Sequence, residues 1–213
     1  MSMIPQAGDQ LSPTEKPRDT SPACDDWANA TVYTIGHSTR PQADLIALLK
    51  HYGVATLADV RTVPRSRHNP QFNRDELTVT LPEAGIAYAH LPLLGGLRRG
   101  LGADSPNTGW RNTSFRAYAD YMQSADFAEG LCQLNALTAD GPVALMCAEA
   151  VPWRCHRSLI ADALTIRGVP VREIQSLTRT EVHKLTPFAQ VDGLHLIYPG
   201  PEESAPAPTS PTA

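Results

Sequence analysis

The sequence predicts an α/β fold: a single three-layer domain on a mostly parallel sheet of about five strands, flanked by disordered tails. Three observations carry this. Short apolar runs alternate with segments of helical period along residues 29–198. One run, P-V-A-L-M at 142–146, is continuously apolar, as a strand buried on both faces must be. Glycine or polar residues follow the strand-like runs, where a parallel sheet collects its loops.

The elements follow in order. V-Y-T-I (32–35) reads as a strand, and a helix opens near Pro41 with Leu45, Leu48, Leu49 and Tyr52 on one face. V-A-T-L-A-D-V (54–60) is the next strand. A basic loop then leads to a helix that Asn73 and Glu76 are placed to box-cap. I-A-Y-A-H (86–90) is the third strand. Helical spacing of Phe115, Tyr118 and Met122, then of Phe127, Leu131 and Leu134, returns the chain to a fourth strand at 142–147. Leu159, Ile160, Ala163 and Leu164 share a helical face that Gly168 ends, and V-R-E-I (171–174) is the fifth strand. Residues 179–198 read as an appended lid or edge element.

Residues 1–28 and 199–213 are polar and Pro-rich without apolar periodicity, so both are expected to be disordered, and a chain trimmed to about 29–200 is expected to keep its stability. The net charge of −4 belongs to these tails. Residues 30–200 hold 16 Lys and Arg against 15 Asp and Glu, a net of +1, which argues against strong nonspecific binding to nucleic acid. Only Lys50 and Lys184 are lysines there; the remaining cations are arginines, suited to bidentate binding of phosphate or carboxylate. No run approaches the ~18 apolar residues of a membrane span, and no charged-then-apolar leader opens the chain, so a cytoplasmic protein without a membrane partner is expected. Cys24, Cys132, Cys147 and Cys155 are then expected to be reduced, with Cys24 and Cys132 irrelevant to function.

The densest chemistry is C-A-E-A-V-P-W-R-C-H-R, Cys147 to Arg157, between a strand and a helix start. Three further segments fall at the same sheet edge: Gly36-His37-Ser38, Asp59-Val60-Arg61 and Gly95-Gly96. Arg154, Arg157 and the helix start favour a thiolate at Cys155, whereas Cys147 ends a core strand and is the less accessible thiol. Cys147 and Arg154 are separated by six residues, one more than a phosphatase-like loop requires, and Pro152 removes an amide donor. Sulfur transfer through either thiol remains open, as does a transient disulfide between them. His37 and Glu149 are proton-transfer candidates, and Arg61, Arg154, Arg157, Ser38, Gly95 and Gly96 are candidates for holding an anion. Asp59 and Arg61 point to one face of their strand, which also suits a structural ion pair.

Metal binding is the alternative chemistry, with Cys147, Cys155, His156 and His37 as donors and zinc or iron as the cofactor. Against it, Cys155 and His156, adjacent on a helix start, are expected to point about 100° apart and so seldom to ligate one ion together. Arg65, Arg67, His68 and Arg74 form a basic loop that suits a nucleotide or phosphodiester, and Trp110 and Trp153 could stack a ring.

With G-H-S-T-R (36–40), D-V-R-T-V-P-R-S-R (59–67), L-G-G (94–96), C-A-E (147–149) and C-H-R (155–157) in that order, residues 31–198 resemble the domain-of-unknown-function 488 family. The resemblance implies a compact bacterial-type α/β domain in which these positions form one site. It implies no reaction. Chemistry points first to a thiol-dependent transferase or hydrolase acting on a small phosphate-bearing or nucleotide-like anion. A nucleic-acid-associated accessory protein of DNA repair or defence comes second, and a metal-dependent enzyme third.

Overall fold

The structure, a computed structural model, describes Cys24, Trp27, Ala28 and residues 30–201. Most of both expected tails lies outside these residues. In chain order the regular elements are β1 (Val32–Gly36), α1 (Gln42–His51), β2 (Thr56–Asp59), α2 (Arg74–Glu83), β3 (Ala87–His90), α3 (Thr113–Tyr121), α4 (Ala125–Thr138), β4 (Val143–Cys147), α5 (Arg157–Thr165), β5 (Val171–Ser176), β6 (Arg179–Val182), β7 (Gln190–Asp192) and β8 (His195–Ile197). The main sheet runs β3-β2-β4-β1-β5-β6. Its first five strands are parallel and β6 closes the edge antiparallel to β5.

The sheet therefore has six strands rather than about five. The additional strand comes from 179–198, whose polar, exposed sequence lacks the apolar run that marks the buried strands. The rest of that segment forms the β7–β8 hairpin, which Tyr198 anchors. This buried ring donates its OH to Asp162 Oδ2 (2.8 Å) and its backbone N–H to Asn107 Oδ1 (2.9 Å).

Alternation along β4 divides the core. Val143 and Leu145 pack on the side of α3, α4 and α5, while Ala144 and Met146 pack on the side of α1 and α2. Both faces are covered, so all four of these residues are fully buried. α3 and α4 begin at side-chain caps: Asn112 accepts from Ser114 and Phe115 N–H, and Ser124 from Phe127 N–H. α2 does not. Asn73 stands at its N-cap, but Asn73 Oδ1 accepts from Ser66 N–H (2.7 Å), so the expected capping box is replaced by a bond that shapes the basic loop.

Cys24 and Cys132 form a disulfide with Cα atoms 5.2 Å apart across a sequence separation of 108, which corrects the expectation that both are reduced. Their pairing was invisible in sequence because Cys24 lies in a stretch with no periodicity. Beside it Trp27 is buried at 8% exposure in the α3/α4/α5 core, and Asn135 Nδ2 on α4 donates to Cys24 O (2.6 Å). No helix among the described residues is long and apolar enough to cross a membrane.

Candidate functional site

β4 lies between β2 and β1, so the loop leaving its carboxyl end enters the crevice between strands whose connections diverge. That loop is fastened to its neighbours: His37 and Ser38 N–H donate to Cys147 and Ala148 carbonyls (both 3.0 Å), and Val60 N–H donates to Met146 O (3.0 Å). Gly36 is required here because a Cβ on it would lie 2.7 Å from Ala150 Cα and overlap Glu149 O. The result is a cavity of about 660 Å³ bordered by the residues expected at the sheet edge, including His37, Ser38, Arg61, Gly96, Cys147, Glu149, Arg154, Cys155 and His156. Arg65 also borders it. Arg67, His68 and Arg74 are exposed and stand away from it.

Cys147, Cys155 and His156 bring their donor atoms within 4.8 Å of one another. Cys155 is buried and Cys147 half-buried, which corrects the expectation that Cys147 is the less accessible thiol: the turn before α5 covers Cys155, whereas Cys147 ends its strand at the cavity. The separation of Cys155 and His156 expected from a shared helix does not occur, because α5 begins only at Arg157. Cys155 has extended backbone (φ −131°, ψ 143°) and His156 is the N-cap, so Cys155 Sγ and His156 Nδ1 stand 3.6 Å apart. His156 Nε2 donates to Val60 O (2.9 Å), which directs Nδ1 at the sulfur. Gly96 permits this, since a Cβ there would lie 2.5 Å from Nδ1. Gly95 makes the matching approach to Thr62, with a Cβ distance of 2.6 Å to Oγ1.

Arg157 is fully buried. Its Nε donates to Cys155 Sγ (3.4 Å), its Nη2 donates to Glu149 O (2.7 Å), and its Nη1 is 3.6 Å from Glu173 Oε2, an ion-pair distance too long for a hydrogen bond. Thr34 Oγ1 donates to the same Glu173 oxygen. The Cys147 thiol donates to Cys155, which holds Cys155 well below the usual thiol range, with His156 and Arg157 assisting against burial. That hydrogen bond and burial push Cys147 far up. The arrangement thus favours ionisation at Cys155 over Cys147.

The other expected residues have more structural partners than the sequence indicated. Arg61 forms a buried fork on Asp59, Nε to Oδ1 at 2.8 Å and Nη2 to Oδ2 at 2.5 Å, and also donates to Phe72 O (2.7 Å) and His37 Nε2 (3.3 Å). His37 stacks on Phe72, with centroids 4.3 Å apart, and donates from Nδ1 to Ser38 O (2.9 Å). Both ring nitrogens are engaged, and burial lowers its pKa, so His37 is a neutral anchor within the crevice and stands outside the Cys-Cys-His cluster. Glu149 is exposed, with Oε1 accepting from Val151 N–H (3.2 Å). Arg154 is exposed at the rim. Ser38 has φ 48°, the one positive φ outside glycine among the described residues, and this strained backbone lies at the cavity wall.

The family described as "Domain of unknown function DUF488" matches residues 42–164, more than half of the chain. The chain belongs to this family. No curated protein and no solved structure matches it.

The DUF488 match contains the strand ends of β2, β3 and β4 and the whole Cys147–Arg157 loop, whereas His37 and Ser38 precede it and Glu173 follows it. Glu173 was missed in sequence. Its signal was a carboxylate between Val171 and Ile174 on a strand whose inward positions are buried.

Proposed function

We propose that this protein is a thiol-dependent enzyme, a transferase or hydrolase, that acts on a small phosphate-bearing or nucleotide-like anion in the cavity beyond β4. The observation that carries this reading is the convergence of Cys147, His156 Nδ1 and Arg157 Nε on the Cys155 sulfur. A sulfur so supported is shifted toward the thiolate, and it borders the cavity. Charge favours an anion. Arg61, Arg65 and Arg154 border the cavity, and Glu149 is the single carboxylate among the described residues there.

In this mechanism the anionic group is held by Arg65 and Arg154 at the rim. The Cys155 thiolate forms a bond to the substrate's electrophilic atom as the leaving group departs with the bonding electron pair. Water then attacks the covalent intermediate, its proton passing through the Glu149 carboxylate to the departed leaving group, and the bond to sulfur breaks to release Cys155 as thiolate. Arg157 stays buried behind the sulfur and stabilises its charged form. The nucleic-acid alternative has less support, since only Arg65 of the basic loop faces the cavity.

One observation favours a second reading as a metal-dependent enzyme. The 3.6 Å between Cys155 Sγ and His156 Nδ1 is close to the ~3.5 Å edge of a tetrahedral site with Zn–S about 2.3 Å and Zn–N about 2.0–2.1 Å. Cys147, Cys155 and His156 could hold such an ion.

Elemental analysis of protein purified without a metal-affinity tag, joined to alkylation read by mass spectrometry, separates the two. The thiol reading expects no stoichiometric metal and modification of Cys155 at mildly acidic pH. Stoichiometric zinc or iron, with both thiols protected until it is removed, would overturn it.

A further inference from the structure

A second cavity, of about 340 Å³, is bordered by Pro152 and Trp153 of the turn whose Arg154 borders the thiol cavity. β1 and β5 contribute Thr34 and Glu173, α5 contributes Arg157, and Trp110, Trp153 and Phe188 complete an aromatic wall and rim. None of these residues borders the first cavity. Among the described residues three buried side-chain nitrogens have no hydrogen-bond partner: Trp27 Nε1, Trp110 Nε1 and Arg157 Nη1. The last two belong to residues bordering this cavity. Buried donors are almost always satisfied, so two orphans beside one cavity ask for an acceptor brought by a ligand.

The complementary group is also present. Glu173, 7% exposed, is an acceptor at the same wall and already faces Arg157. A second anion placed there would meet that carboxylate. A neutral ligand that presents an acceptor to the two N–H groups and a donor to Glu173 would not. Trp153, 70% exposed, and Phe188, 39% exposed, are large apolar rings left in solvent at the rim, as stacking platforms are.

We propose that this cavity is a second ligand site, for a planar nitrogen heterocycle of the nucleobase class that carries a ring carbonyl and an adjacent ring N–H on one edge. The carbonyl accepts from Arg157 and Trp110, the ring N–H donates to Glu173, and Trp153 covers the ring face. Because Arg157 also holds the Cys155 sulfur, the site shares one side chain with the thiol centre and shares no cavity with it.

The test is calorimetric titration of the full-length protein with guanosine, whose base has that edge, and with adenosine, whose base lacks it. Saturable guanosine binding is expected, with adenosine at least about ten-fold weaker, since a buried donor and a buried acceptor are left unpaired. Trp153→Ala, at an exposed position that leaves the core intact, should weaken guanosine about ten-fold by loss of stacking. Glu173→Gln should narrow the preference over adenosine. Absence of saturable guanosine binding, equal binding of the two nucleosides, or guanosine binding unchanged in both variants would overturn the proposal. The titration reads binding alone, so its outcome is separate from that of the thiol chemistry.

Discussion

Arg157 donates its Nε proton to the Cys155 sulfur at 3.4 Å, joining a fully buried cation to a buried sulfur two residues before it. The contact spans the start of α5: Cys155 is still extended, and Arg157 is the first helical residue. Arg154 is nearer Cys155 in sequence but points outward.

The two arginines should therefore behave differently. Arg157→Gln removes a positive charge beside the sulfur, so the Cys155 pKa rises and its alkylation near pH 6.5 slows severalfold. Arg154→Gln should leave that pKa unchanged and weaken only anion binding. Truncating one member of a buried charge network costs about 3–5 kcal/mol, so Arg157→Lys, which keeps the charge, serves where Gln unfolds the protein. Alkylation rate against pH, read by mass spectrometry, decides. Equal shifts from the two substitutions would remove Arg157 from its assigned role.

Two glycines separate architecture from site. A Cβ at Gly36 meets the backbone of Glu149 and Ala150, which cannot move without shifting the whole loop, whereas a Cβ at Gly96 meets the side chain of His156. Gly36→Ala should cost at least the ~1–3 kcal/mol of an overpacked core. Gly96→Ala should cost less stability but swing the imidazole from Cys155, which a slower alkylation at neutral pH would show. Denaturant unfolding of both variants checks the order, and the reverse order would sink the account of the loop.

The disulfide changes the expectation for trimming. Removing residues before 29 deletes Cys24 and Trp27, a crosslink across 108 residues and a core side chain. Reduction, or Cys132→Ser, should lower stability by about 2–4 kcal/mol, and a chain starting at residue 29 should lose at least as much. Thermal unfolding with and without reductant is the measurement. Unchanged melting would show that Cys24 and Cys132 do not pair in solution.

The same case shows what the sequence could and could not reveal. β1, β2 and β4 were legible because burial on both faces demands apolar runs, β3 and β5 were legible as short apolar-rich segments between helices, and the strand ends located Cys147, Gly36 and Asp59 at one edge. β6 was not, since its residues are mostly exposed and polar. Within the site, residue types were legible and roles were not. The direction of Arg157 against Arg154, and the meeting of Cys155 with His156, depend on where the first turn of α5 begins, and the helix periodicity leaves that undetermined by the residues that matter. The engagement of His37 and Arg61 depends on Phe72 and Asp59, which tertiary packing brings alongside.

Glu173 should make stability depend on pH in an unusual direction. Burial pushes its carboxyl from 4.5 up to about 7, against the attraction of Arg157. A carboxyl raised on folding favours the folded state while protonated, so its contribution is fully present below about 4.5 and is lost as pH rises through about 7. The shift corresponds to about 3 kcal/mol at most. Glu173→Gln is uncharged throughout, so the stability of the parent protein relative to this variant should fall between pH 4.5 and pH 8. Urea unfolding of both proteins at three pH values across that window isolates the difference from every other titrating group. A difference that stays constant would mean that Glu173 is ionised in the folded protein at acidic pH, and that its pairing with Arg157 outweighs its burial.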